Sequence, residues 1–167
     1  PWGFEQHVAD VLAVMDDHGL DRAPLIGHSF GGAIALHLAR AARDRVEALV
    51  LVDPALGLDA ADVLQTATDA CAGESYPNLA AARAARAERW EGVADALVDA
   101  ELEQNLVRSE DGRWRYRWSP PAVATAWSEM ARPAIAPPPD LPTLLLPAAK
   151  VDYVKPELKA ILGRTLG

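Results

Sequence analysis

Two features of this 167-residue sequence predict an α/β chain with a parallel sheet flanked by helices. Short apolar runs at Leu25–His28, Val46–Val52 and Thr143–Leu146 alternate with segments of helical periodicity. The runs are rich in leucine and β-branched residues, which suits strands covered on both faces in a parallel sheet. The second feature is glycine-rich punctuation where the first strand must turn at once into a helix. The order helix, strand, helix, strand, helical insert, strand, helix is the alternation from which parallel α/β sheets are built.

Each element has its own local reason. Residues 4–18 place Phe4, Val8, Val11, Leu12 and Met15 at helical spacing, and Gly19 supplies the stop. Leu25–His28 is the first strand. Residues 30–43 form the next helix, whose first turns carry Gly31, Gly32, Ala33 and Ala35, small enough to lie close on a sheet. Val46–Val52 is the second strand, and Asp53-Pro54 ends it. Residues 55–140 are more charged, helix-prone and hold most of the aromatics, with Ala80–Ala100 strongly helical by propensity. Asp111-Gly112 marks a turn. After it, period-two alternation sets Trp114, Tyr116 and Trp118 on one face of an extended segment, and Arg113, Arg115 and Arg117 on the other. Residues 132–142 are proline-rich and read as an extended connector. Thr143–Leu146 resumes the strand pattern, and Pro156–Leu162 closes with a helix.

The sharpest signal is Gly27-His28-Ser29-Phe30-Gly31, followed by Gly32. It places a serine on a tight strand-to-helix turn, the sequence form of a nucleophile elbow. The expectation is that the turn leaves no room for side chains beside the serine, so that Gly27 and Gly31 flank it. The following helix points free backbone N–H groups at the serine oxygen, where they stabilise negative charge. The chemistry implied is acyl transfer from Ser29, most often ester hydrolysis.

Gly-His-Ser-Phe-Gly-Gly, Ala48-Leu49-Val50-Leu51-Val52-Asp53-Pro54 and Leu141-Pro142-Thr143-Leu144-Leu145-Leu146 together resemble the central part of an α/β-hydrolase, in particular the bacterial serine esterases and lipases. The resemblance implies a partial α/β-hydrolase fold, with 1–54 and 141–167 as a core incomplete at both ends and 55–140 as a helical cap. It implies Ser29 as nucleophile and the Phe30 N–H as one oxyanion donor. It implies Asp152 as the acid that orients a histidine, with Asp53 as the alternative position. Trp114 and Trp118 are expected to wall the acyl pocket. The family places the histidine after one further strand, and the chain's own His7, His18, His28 and His37 all precede that point. The base and the second oxyanion donor are therefore expected outside these 167 residues, and the fragment alone is expected to be inactive. Perhydrolase, lactonase or carbon–carbon bond hydrolase chemistry would use the same serine. A non-catalytic small-ligand binder on this fold is the alternative of another class.

Composition narrows the field further. A formal net charge of −8 repels phosphate backbones and argues against nucleic acid as a partner. No apolar run is long enough to span a bilayer. The expected location is cytoplasmic. Cys71 is alone, which excludes an intrachain disulfide and a thiolate metal cluster. No metal-ligand spacing, phosphate loop or dinucleotide fingerprint occurs, so no cofactor is expected. The expected partner is a small-molecule ester.

Overall fold

The protein is seen in a computed structural model that describes residues 2–150 and 152–165, the last two by backbone alone. The apolar stripe of the first helix, α1 (Phe4–Asp17), buries Phe4, Val8 and Met15. Strand β1 (Ala23–His28) follows, then helix α2 (Phe30–Ala41) directly after Ser29. A single 3₁₀ turn at Arg43–Arg45 leads into β2 (Val46–Val52). The chain returns to the same sheet as β6 (Thr143–Leu146) and closes with α7 (Pro156–Thr165).

The three strands are parallel in the order β1-β2-β6. The register sets Ile26 beside Val50 and Leu144, and His28 beside Val52 and Leu146. Because side chains alternate, these residues share one face, and Leu25, Leu49, Leu51 and Leu145 share the other. The second face carries the main core, with Phe4, Leu36, Leu38, Leu158 and Leu162. The first face is largely open: Ile26 is 76% exposed and Leu144 52%. The expectation of strands buried on both faces therefore holds for one face only among the described residues.

Glycines allow α2 to lie against β1. A Cβ on Gly27 would stand 2.4 Å from the Gly31 carbonyl oxygen, and one on Gly32 2.9 Å from Pro54 Cβ. A Cβ on Gly31 would meet nothing within 4 Å. The close approach thus falls on Gly27 and Gly32, not on the Gly27–Gly31 pair that the sequence suggests. The chain crosses the turn with its contact point one residue further along.

By contacts the chain divides into two units, residues 1–66 with 125–167, and residues 67–124. Residues 55–66 and 125–140, read from sequence as part of the insert, lie in the first unit. Helix α3 (Ala60–Ala72) and helix α6 (Pro120–Met130) run across the two boundaries. Between them come β3 (Ser75–Tyr76), α4 (Leu79–Arg89), α5 (Asp95–Asn105), β4 (Leu106–Arg108) and β5 (Trp114–Tyr116). The stretch Ala80–Ala100, helical by propensity, is shared by two helices. The chain breaks between them where Gly92 takes φ +83°, a backbone that glycine adopts without steric cost. Asn78 starts α4 by accepting the Ala81 N–H at 2.9 Å. The alternating Trp114–Tyr116 segment is extended as expected, and it pairs antiparallel with both β3 and β4.

The core of residues 67–124 is partly polar. Val98, Leu102, Leu106 and Tyr116 are packed with Ala82. Arg86, only 8% exposed, lies among them. Its guanidinium donates to the Tyr116 hydroxyl oxygen, stands 3.3 Å from the Glu101 carboxylate, and covers the rings of Trp90 and Tyr116 at 5.2 and 4.8 Å. A buried cation needs such company, because removal from water is otherwise prohibitive.

Two stability outcomes follow from these contacts. Gly27→Ala forces backbone apart and is expected to cost more than about 3 kcal/mol, at or beyond the usual range for overpacking. Gly31→Ala is expected to change stability by less than about 1 kcal/mol. Denaturant melts of the two variants check the contrast. Arg86→Ala strands the Glu101 carboxylate and is expected to cost about 3–5 kcal/mol, whereas the double change Arg86→Met with Glu101→Leu recovers most of it. Urea melts of both variants test this.

Candidate active site

Ser29 stands between the end of β1 and the first turn of α2, at the N-cap position of that helix. A capping serine ordinarily takes extended backbone, so that its hydroxyl reaches back to the second or third helical N–H. Ser29 instead has φ 53° and ψ −121°, and its side chain makes no capping hydrogen bond. Left-handed backbone at a non-glycine residue costs roughly 1–3 kcal/mol and needs support from its surroundings. The support is visible. The Ser29 N–H donates to the Val52 carbonyl at 3.0 Å, and the Ser29 carbonyl accepts from Gly32, Ala33 and Ala55 at 3.0, 3.3 and 3.1 Å.

The opening turn of α2 leaves N–H groups without intrahelical acceptors. Gly32 and Ala33 turn theirs to the Ser29 carbonyl, which leaves those of Phe30 and Gly31. They sit at the positive end of the helix dipole, beside a serine whose hydroxyl is not used in capping. This is the arrangement that a developing oxyanion requires.

The same device recurs one strand over. Asp53 follows β2 with φ 46°, its N–H donates to the Leu146 carbonyl at 2.8 Å, and its Oδ1 accepts the Ala148 N–H at 3.0 Å. Asp53 is 6% exposed, and its carboxylate ties the end of β2 to the chain leaving β6. A cavity of about 440 Å³ at the carboxyl ends of the strands is lined by Ser29, His28, Asp53, Leu146, Ala148 and Tyr153 among others. Ligands bind in this place in open α/β sheets.

Asp152 does not line that cavity. Its side chain is 69% exposed and lies 3.7 Å from the Lys155 ammonium and 3.9 Å from that of Lys159. It borders a neighbouring cavity of about 370 Å³, which shares Tyr153 with the first. Val151, beside it in sequence, lies outside the described residues.

The two tryptophans expected at the acyl pocket belong to residues 67–124. Trp114 lines a cavity within residues 67–124, with Leu79, Leu102 and Leu106. Trp118 stacks on Tyr116, with ring centroids 3.9 Å apart. Tyr153, which touches both cavities, carried no signal of its own in the sequence; Trp127 lines the second cavity and packs on the cluster of Leu58, Val63 and Met130. The only hint for Tyr153 was its place next to Asp152.

The four histidines fall into distinct settings. His18 is exposed, with its Nδ1 2.9 Å from the Val14 carbonyl oxygen. His7 meets Phe30 edge-on at 5.4 Å. His37 stacks on Phe4 at 4.3 Å, its Nε2 buried without a partner among the described residues, and burial pushes its pKa down. His28 lines the Ser29 cavity. No group of three or more His, Cys, Asp or Glu residues is arranged to hold a metal among the described residues, and Cys71 is an exposed free thiol. No helix of the described residues is long and apolar enough to cross a membrane.

Known proteins share this architecture. Lipase LipV of Mycobacterium tuberculosis is 40% identical over 170 residues, an alignment that covers the whole of this chain and 65% of LipV. The chain thus spans slightly under two thirds of that relative's length. A marine microorganism esterase matches 98% of this chain and 67% of its own with a TM-score of 0.70 at 21% identity. The thioesterase domain from the curacin biosynthetic pathway matches 99% and 64%, with a TM-score of 0.70 at 17% identity. At such identities these two likenesses concern the fold. The sequence pattern of the alpha/beta hydrolase fold matches residues 1–138. With the parallel sheet, the Ser29 turn and these matches in hand, the chain belongs to the α/β-hydrolase fold family.

Proposed function

We propose that this chain carries the nucleophile of a serine hydrolase acting on carboxylic esters, as an esterase or lipase does. The observation that carries the reading is Ser29 itself: strained, held by four backbone hydrogen bonds, with a hydroxyl not engaged in capping its helix. Ser29 Oγ attacks the ester carbonyl while a base takes its proton, and a tetrahedral oxyanion forms. The Phe30 N–H donates to that oxyanion. The alcohol leaves with the proton, and water repeats the sequence on the acyl-enzyme. LipV's name supports the substrate class.

Asp152 is the proposed acid. Its carboxylate has no backbone duty among the described hydrogen bonds, only ion pairs with Lys155 and Lys159, and so can turn to a histidine. Asp53 is given the structural role, because its Oδ1 already holds the Ala148 N–H. The base comes from outside these 167 residues, and the chain alone is then a poor enzyme. His28 offers a second reading, since it lines the Ser29 cavity. Residues 55–140 are proposed as the cap. Perhydrolase, lactonase or carbon–carbon bond hydrolase activity would draw on the same serine, and acyl-ester specificity separates them.

A fluorophosphonate probe tests the nucleophile: the full-length protein carrying this sequence should label, and Ser29→Ala should not. Labelling that survives Ser29→Ala sinks the proposal. The carboxylates separate by kinetics. Asp152→Asn is expected to lower kcat on nitrophenyl butyrate by roughly 10³–10⁴ with little change in melting temperature. Asp53→Asn should chiefly destabilise, by about 1–3 kcal/mol. The reverse pattern moves the acid to Asp53. His28→Ala should leave the rate within a few-fold of the parent. A drop beyond about 10²-fold would make His28 the base.

A further inference from the structure

Resting on the reading of Ser29 as an ester-cleaving nucleophile, we infer that Trp127 and Tyr153 wall a second compartment of the substrate site. It takes a short apolar arm that carries no negative charge. The compartment is the cavity of about 370 Å³ beside the Ser29 cavity, and Tyr153 is the wall between them. Its volume falls in the range of small-molecule sites. Leu58 and Val63 form an apolar floor, 8% and 4% exposed. The rings of Trp127 and Tyr153 stand 6.4 Å apart, inclined at 49°.

The compartment and the nucleophile turn share one packing unit. Phe30, the residue after Ser29, packs against the cluster of Ala55, Leu58, Val63 and Met130, and Trp127 packs against the same cluster. The apolar floor is therefore held in register with the oxyanion donor, because side chains in a packed cluster cannot shift independently. A substrate with its carbonyl at Ser29 reaches the second compartment by passing Tyr153.

The rim selects by charge. Asp59, Asp62 and Asp152 stand there, and two ammonium groups, those of Lys155 and Lys159, lie against Asp152, which leaves the other two carboxylates in excess. An arm ending in a carboxylate meets excess negative charge at this exposed rim, where repulsion acts over the short range that salt leaves unscreened. A neutral alkyl arm meets the apolar floor and the aromatic faces. A quaternary ammonium gains from both the carboxylates and the aromatic faces. The substrate class is thus neutral or cationic esters with a short arm, and monoesters of diacids are refused. Within residues 1–66 and 125–167 this role falls to Trp127 and Tyr153.

The test uses the full-length protein carrying this sequence and two series of esters. One series varies the acyl arm of nitrophenyl esters: butanoyl, hemisuccinyl and trimethylammoniobutanoyl. The other varies the alcohol of acetate esters with the same three end groups. In at least one series kcat/KM is expected to be lower for the anionic arm by roughly tenfold or more. Asp62→Asn, an exposed change that folding should tolerate, narrows that gap severalfold. Trp127→Leu lowers kcat/KM for the butyl arm by about tenfold more than it lowers that for nitrophenyl acetate. Equal rates across both series, with neither variant moving them, overturn the inference. A calorimetric titration of the Ser29→Ala variant with butyltrimethylammonium and with butanoate separates the two readings. The cation is expected to bind more tightly, and Trp127→Leu to remove that binding. Binding of this kind in a protein that cleaves no ester upholds the compartment and removes the hydrolase reading. Ester cleavage without this binding or any arm preference does the opposite.

Discussion

The Ser29 peptide unit is the node on which the site depends. Its N–H reaches Val52 on the neighbouring strand, and its carbonyl collects N–H groups from α2 and from Ala55 in the loop after β2. Three segments are thereby joined at one residue. Each backbone hydrogen bond contributes about 0.5–1.5 kcal/mol net, so four of them offset a strain of roughly 1–3 kcal/mol. The left-handed conformation persists because the surroundings over-determine it. The hydroxyl is turned out of its ordinary capping role as a direct result.

The neighbouring strand repeats the construction with a different outcome. Asp53 is left-handed in the same position relative to β2, and its N–H reaches the end of β6 as that of Ser29 reaches the end of β2. At Asp53 the side chain is consumed, since its carboxylate satisfies the Ala148 N–H. One backbone device thus presents a hydroxyl that does not cap its helix at one strand end and a structural latch at the next. The latch holds the chain after β6 against the Ser29 cavity, and Tyr153 reaches that cavity a few residues further on.

The two units solve the burial problem differently. Residues 1–66 with 125–167 rest on an apolar core under one face of the sheet. Residues 67–124 are too short to assemble a comparable apolar core, and they place Arg86 at the centre of theirs. The guanidinium is tolerable there because Glu101, the Tyr116 hydroxyl and two aromatic faces replace its water. Such a cluster demands exact partners, so it fixes the mutual placement of α4, α5 and β5.

The sequence by itself determined what depends on local rules. Val46–Val52 read as a strand because it is a continuous run rich in valine and leucine, and the Ser29 turn read as a strand-to-helix reversal because Gly27 and Gly31 bracket the serine between an apolar run and a helical pattern. Helix α1 was legible from its apolar spacing. What remained hidden depends on contacts between distant positions. The break at Gly92 lay inside a segment whose alanines and arginines favour helix throughout. The surroundings of the aromatics within residues 67–124 were equally hidden: the local pattern does not say that Trp118 stacks on Tyr116 or that Trp114 lines a cavity with Leu102 and Leu106. Asp53 and Asp152 each follow a strand, and sequence position ranked Asp152 first. Only the tertiary structure decided that Asp53 shares a cavity with Ser29 while Asp152 borders the next one. Backbone conformation is governed by near neighbours, whereas a cavity wall is assembled from residues more than a hundred positions apart, and no local signal records that meeting.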